Sequence, residues 1–373
     1  MISLYRFHSI RPPYETKQEE TFDWFVEAHA ASEKTKGGGD DSFRSALKER
    51  LWKVGAKSDC IAKRGHILPD FLHKDWERME IYRLLESPSG LGLSERMERF
   101  RAFVDGLFDS YYPEEAEAPD DLIHVSCTGY LSPSGAQKLV SKKQWGRVTA
   151  VTHAYHMGCY GAFPAIRMAA GFLACGKRTA DIVHTEVCSL HSNPALHDSG
   201  QLVSQSLFAD GFIKYTASLN PPLSHFRVLS VHEEIIPGSI ESMAWDLSSW
   251  GNSISLSKEI PVLISRAIEA YLKTLCERAG LPAARFSSAL FAIHPGGPKI
   301  VRQIQERLGL AEAQISHSLA VLKECGNMSS ATLPHVWEAL LLDPAVPANT
   351  LIVSLAFGPG LTIAGSIMVK SCG

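Results

Sequence analysis

The chain has 373 residues, 45% of them hydrophobic and 21% charged, with a formal net charge of -3 and a sequence pI near 6.6. That length buries one large core or two moderate ones in an ordinary globular balance. The charge gives no reason to expect nucleic acid, though a local basic patch can still hold a small anion, and no apolar run reaches the length of a membrane span.

The opening "MISLYRFHSIRPPYE" carries Arg6 and Arg11 too early, and Pro12 and Pro13 too soon, for a signal peptide. The eight cysteines are scattered without a CxxC pair, which reads as reduced thiols in a cytoplasmic protein. Residues 15–110 are predicted mostly helical. In "TKQEETFDWFVEAHAASEK", Phe22, Phe25, Val26 and Ala30 fall at helical spacing, and Thr16 with Glu19 forms a capping box. "SFRSALKERLWKVG" and "LSERMERFRAFVDGLFDSYY" give two more amphipathic helices, separated from the first by the loop "GGGDD".

From residue 122 short apolar strands alternate with helices: "LIHVS", "RVTAVTHAY", "DIVHTEV", "LFADGFIKYTAS" and "FRVLSVHEEII". A long helix, "EIPVLISRAIEAYLKTLCERAG", precedes the strand-turn-helix "ALFAIHPGGPKIVRQIQERLG". "TLIVSLAFGPGLTIAGSIMVK" closes the chain as two strands around a Gly-Pro-Gly turn. The alternation predicts an α/β layered architecture with a partly parallel sheet and no sharp linker.

In such folds, ligands gather where strands end and helices begin. Cys159 lies between "RVTAVTHAY" and the helix "GAFPAIRMAAGFLA", where a helix dipole lowers a thiol's pKa. The alternative is a buried structural thiol. His294 ends the strand "ALFAI", and Asn327 follows Gly326, which ends a helix; Ser329 or Ser330 is the expected next N-cap. Each of the two is otherwise a structural or turn residue. Together the three supply a nucleophile, a base and a hydrogen-bond donor, a set suited to acyl transfer through a thioester, by hydrolase or condensing enzyme alike.

The segments Gly158-Cys159, "SQSLFADG", "HPGGP", "CGNMSSA" and "FGPGLT" resemble, in order and spacing, the type III polyketide synthases of the chalcone/stilbene synthase family. The texture of "YHMGCYGAFPA" and "TEVCSLHSNP" is similar to bacterial members that make alkylpyrones or alkylresorcinols from fatty-acyl starters. The resemblance implies a thiolase fold of two αβαβα halves in five layers, here residues 1–215 with the nucleophile and 216–373 with the histidine and asparagine, and a homodimer. It implies an acyl group carried from CoA to Cys159, decarboxylation of malonyl-CoA, and His294 and Asn327 stabilising the developing oxyanions, with no metal or redox cofactor. His294 would also hold Cys159 as a thiolate.

For the pocket, the resemblance points to Phe226 and Ile254 as gate residues, to Cys127, Ser132 and His191 as cavity substitutions, and to the "FGP" of Phe357, Gly358 and Pro359. Glu186 either orients a water or polyketide carbonyl, or accepts backbone hydrogen bonds. Lys53 and Lys57, in a basic run from Lys48 to Arg64, would bind CoA phosphates or an acidic acyl carrier protein; a charge run is otherwise a solvated helix face. The runner-up is a ketosynthase that joins two β-ketoacyl chains into an α-pyrone. A cysteine hydrolase and an inactive partner subunit are the readings of other classes.

Overall fold

The structure, a computed structural model, describes residues 1–372 except the side chains of residues 283–285. The chain opens with strand β1 (Ser3–Ile10) and β2 (Tyr14–Lys17), then helices α1 (Gln18–Lys34) and α2 (Asp41–Val54). β3 (Lys63–His66) returns antiparallel to β2, and α3 (Leu93–Tyr111) follows. The first α/β run is β4 (Asp121–Ser126), α4 (Gly135–Lys142), β5 (Ala150–Tyr155), α5 (Ala162–Ala174), β6 (Thr179–Glu186), α6 (Ser199–Leu207) and β7 (Gly211–Ser218). The second half holds β8 (His225–Ile235), the hairpin β9 (Met243–Leu247) and β10 (Asn252–Leu256), then α7 (Ile260–Ala279) and β11 (Leu290–Ile293). α8 (Pro298–Leu308), α9 (Glu312–Cys325), α10 (Thr332–Leu342), β12 (Leu351–Gly358) and β13 (Thr362–Ser371) complete it.

Nine strands form one sheet in the order β11-β12-β13-β8-β1-β7-β6-β4-β5. β4 pairs parallel with β5 and β6, and β11 pairs parallel with β12, while the strands between are antiparallel. Every residue of β4 is buried, as a strand covered on both faces requires. The halves meet where β8 and β7 flank β1. The predicted boundary after residue 215 falls inside β7.

Apolar faces sort the helices into layers. α5 and α10 share a core with strands of both halves, and the rings of Phe163 and Trp337 meet edge-on at 5.9 Å. Such a pair adds about 0.5–1.5 kcal/mol to the area it buries. α1, α3 and α4 cover the first half's outer face, and α7 and α8 cover the second's. The order helix, sheet, helix, sheet, helix follows.

The predicted helices stand where the periodicity put them, with one capping shift. Glu20, not Glu19, closes the start of α1 by accepting the Lys17 N–H at 3.1 Å, and Thr16 instead bonds Thr21.

Candidate active site

Cys159 sits on a single 3-10 turn, Gly158–Tyr160, between β5 and α5. Gly158 has φ +74°, and a Cβ there would lie 2.4 Å from the Pro359 ring, so only glycine lets the turn close. The Gly158 N–H donates to the Cys127 sulfur at 3.0 Å. Cys127 and Pro359 are therefore props beneath the nucleophile turn, and Gly358 packs on Tyr160 with no room for a side chain. Phe357 is buried in the core of the second half.

Asn327 is fixed through its backbone: its N–H donates to Leu207 and its carbonyl accepts from Ala209, both at 2.9 Å. Its Nδ2 donates to the Gly296 carbonyl at 3.2 Å, and its Oδ1 accepts the Ser329 N–H at 2.9 Å. Ser329 and Asn327 are the polar side chains that favour the charged form of the Cys159 thiol, and the Ser329 hydroxyl has no hydrogen-bond partner among the described residues. His294 hooks onto β12 through its N–H to Leu355 at 2.7 Å, and its carbonyl accepts from Gly296. Asn327 thus ties the His294 corner to the Ser329 turn. Both His294 ring nitrogens are buried and lack a partner among the described residues.

The electrostatics correct one expectation. Burial first, and the Glu186 charge second, push the Cys159 thiol up to about 12, and the Ser329 and Asn327 side chains offset this only in part. Burial pulls His294 down to about 3. Burial therefore favours the neutral forms of both groups in the unliganded chain.

Glu186 is fully buried, and its acceptor capacity is used by its own scaffold. It takes the Cys127 N–H on both oxygens, at 3.0 and 3.2 Å, the Thr128 hydroxyl at 3.0 Å, and the Ser330 hydroxyl. Burial raises its carboxyl to about 7.

A pocket of about 630 Å³, counted out to its open mouth, lies beyond Thr128. His191 and Ile254 line it, with Phe208, Trp245, Arg64 and His66. His191 donates from Nε2 to the Thr128 carbonyl at 2.9 Å and accepts the Asn252 N–H at 3.1 Å. Phe226 is not on the pocket: it is fully buried on β8, opposite Leu4 and edge-on to Phe7. Phe208, edge-on to Trp245 at 5.8 Å, provides the aromatic wall instead. Ser132 is exposed and precedes a cis proline, away from the pocket lining. Lys53 and Lys57 are exposed, whereas Arg64, the end of the same basic run, is buried.

Sequence reasoning missed Ser329, Ser330, Thr128 and Phe208. Ser329 and Ser330 were visible only as N-cap candidates, yet α10 begins at Thr332, and Ser329 takes φ +49°.

The two sheet-and-helix halves around a shared helix layer have the architecture of the thiolase fold, with Cys159 and its polar neighbours at their junction. The chain superposes on PKS-I of the brown alga Ectocarpus siliculosus with a TM-score of 0.83, at 21% identity over 99% of both chains. It superposes on 1,3,6,8-tetrahydroxynaphthalene synthase of Streptomyces coelicolor A3(2) with a TM-score of 0.81, at 22% identity over 100% of both.

Residues 227–372 match the family model for chalcone and stilbene synthases, C-terminal domain. Probable polyketide synthase 1 of Dictyostelium discoideum is 32% identical over 255 residues, 66% of this chain and 8% of the relative. Type III polyketide synthase A of Arabidopsis thaliana is 26% identical over 258 residues, 67% of this chain and 65% of the relative. The match thus spans less than two thirds of either relative's length. The chain is thus similar to chalcone and stilbene synthases over residues 227–372 and to type III polyketide synthases over about two thirds of its length.

Proposed function

We propose that the chain is a type III polyketide synthase that carries its acyl group on Cys159. The observation that carries this reading is the clustering of Cys159 and Asn327, whose side chain acts on the thiol and holds the Gly296–His294 corner. In the first step the Cys159 sulfur attacks an acyl-CoA thioester, and its proton leaves with CoA as free thiol. In the second, malonyl-CoA loses carbon dioxide, and the resulting enolate attacks acyl-Cys159, expelling the cysteine sulfur, which regains a proton. Both steps place negative charge on a thioester oxygen. The second Nδ2–H of Asn327 and an N–H of His294 are the donors for it, and buried donors of this kind lower such barriers most. A neutral His294 serves this role because it keeps one ring N–H. Claisen condensation is redox-neutral and needs no metal.

The wall of Phe208, Trp245 and Ile254 suits an alkyl segment in the starter, and an alkylpyrone or alkylresorcinol as the product. Exposed Lys53 and Lys57 suit a phosphate-bearing CoA donor or an acidic carrier protein. We propose a homodimer as the working unit.

Labelled malonyl-CoA tests the reading. Several malonyl-derived units in the released product are expected with an acyl-CoA starter. A product without malonyl carbon would overturn it and favour the joining of two β-ketoacyl chains.

A further inference from the structure

Arg64 stands on β3 with 4% of its surface exposed, and it lines the pocket. Its Nη1 is spent on the scaffold, donating to the carbonyls of Gln205 at 2.6 Å and Phe208 at 2.9 Å. Its Nε and Nη2 have no partner among the described residues. Those two nitrogens form one edge of the guanidinium, with N–H bonds side by side. That edge receives a planar two-oxygen group through two parallel hydrogen bonds. Burial lowers the Arg64 pKa to about 9, and no neighbouring carboxylate opposes it. The buried carboxylate of Asp210, whose backbone N–H bonds the Gly65 carbonyl, is committed to the Ile67 N–H and to the N–H and hydroxyl of Ser189, each at 2.7 Å.

His66 lies two residues along the same strand, so its side chain shares the face of Arg64. It also lines the pocket and is 5% exposed. Its Nδ1 bonds the Leu68 carbonyl at 2.7 Å, which places the proton there and leaves Nε2 a bare acceptor without a partner among the described residues. A donor edge and an acceptor thus stand together on one buried wall. The apolar flank beside them includes Phe25, Phe71 and Ile254. Phe208 connects this wall to the Cys159 cluster, because its backbone bridges to Asn327.

We propose that this end of the pocket binds an acidic two-oxygen group on the acyl chain. Its two oxygens accept from Nε and Nη2 of Arg64, and an acid or enol O–H, where the group keeps one, donates to Nε2 of His66. The group is either a carboxyl at the far end of the starter or the enol of a 1,3-dicarbonyl unit in the extended chain. The inference rests on the acyl-transfer reading.

The test loads the full-length protein with succinyl-, glutaryl- and adipoyl-CoA against butyryl-, valeryl- and hexanoyl-CoA. Rates of Cys159 acylation are read by intact mass for wild type, Arg64→Met and Arg64→Lys. If the starter supplies the acid, one carboxyl-ended thioester is preferred over its neutral partner by about tenfold or more. Arg64→Met then abolishes that ratio and Arg64→Lys keeps part of it, whereas a purely structural arginine slows both thioesters alike. If the enol supplies it, loading ratios stay flat, but Arg64→Met changes the number of malonyl units released from a hexanoyl starter. Calorimetry of the Cys159→Ala protein with glutarate and with butyrate stands apart from chemistry. Glutarate binding that is lost on adding Arg64→Met supports the acidic site even if Cys159 is never acylated, an outcome that would sink only the acyl-transfer reading. Flat loading ratios, unchanged products and no glutarate preference would overturn the proposal and leave Arg64 a scaffold residue acting through Nη1.

Discussion

The Oδ1 of Asn327 accepts the Ser329 N–H at 2.9 Å, across a turn in which Ser329 adopts a left-handed backbone. The same side chain holds Gly296 from its other end. Asn327→Ala removes both, leaving a buried N–H and a carbonyl unpaired, at a cost of about 1–3 kcal/mol in stability. It also removes an oxyanion donor, so malonyl-CoA decarboxylation falls roughly 10²–10³-fold. Urea denaturation and release of labelled carbon dioxide measure the two effects. A stability loss with undiminished decarboxylation would assign Asn327 to the scaffold alone.

Glu186 acts on Cys159 through charge. After burial, its carboxylate is the second cause holding the thiol up. Glu186→Gln removes the charge and keeps an oxygen for the Cys127 N–H. The Cys159 pKa drops, and iodoacetamide labels Cys159 faster at a fixed, mildly alkaline pH. An unchanged labelling rate would show that Glu186 is already protonated there.

Phe226 and Phe208 separate core from pocket. Phe226→Ala empties a fully buried site and costs about 3–5 kcal/mol, read from the urea midpoint, with little change in starter preference. Phe208→Ala opens the pocket wall and shifts the preferred acyl length among thioesters acetyl to palmitoyl. The reverse pattern would restore Phe226 as the gate.

Buried histidines set the acid limit of stability. His29, His66 and His191 are held down to about 4, and His124, His184 and His294 to about 3, in each case chiefly by burial. The unfolded chain binds these protons near 6.5, the ordinary imidazole value. Stability from these groups is full above that value and is lost as pH falls toward their folded pKa values. Glu186 and Asp210, both raised to about 7, act in the opposite sense and lose stability as pH rises. With six histidines against two carboxyls, melting temperature climbs from about pH 5 to about pH 6.5 at constant ionic strength. A flat or falling curve over that window would contradict the assignment.

The corners of the site were legible because glycine and proline mark them. "HMGC" and "HPGGP" each sit where a strand pattern stops and a helix pattern starts, and the structure places a turn at both. β1 was missed because it does not alternate: Arg6 takes φ +54°, and the register slips between Tyr5 and His8. Without β1 and the β2–β3 hairpin, Arg64 reads as one more lysine-like charge on a solvated helix. Only the pairing of β3 with β2 shows that it is buried. Phe226 and Phe208 are alike in sequence context, and which one faces the pocket depends on strand register and on where α6 ends. The thiol's pKa was misjudged because a dipole is visible in a helix pattern and desolvation is not.

The central claim is that Cys159 carries the acyl group. Purified protein and Cys159→Ala would be incubated with acyl-CoAs from acetyl to palmitoyl, and intact mass with peptide mapping would locate any adduct. The account predicts one acyl group per chain on Cys159 of the wild type and none on the variant. An adduct that persists in Cys159→Ala, or maps to Cys127 or Cys188, would contradict it.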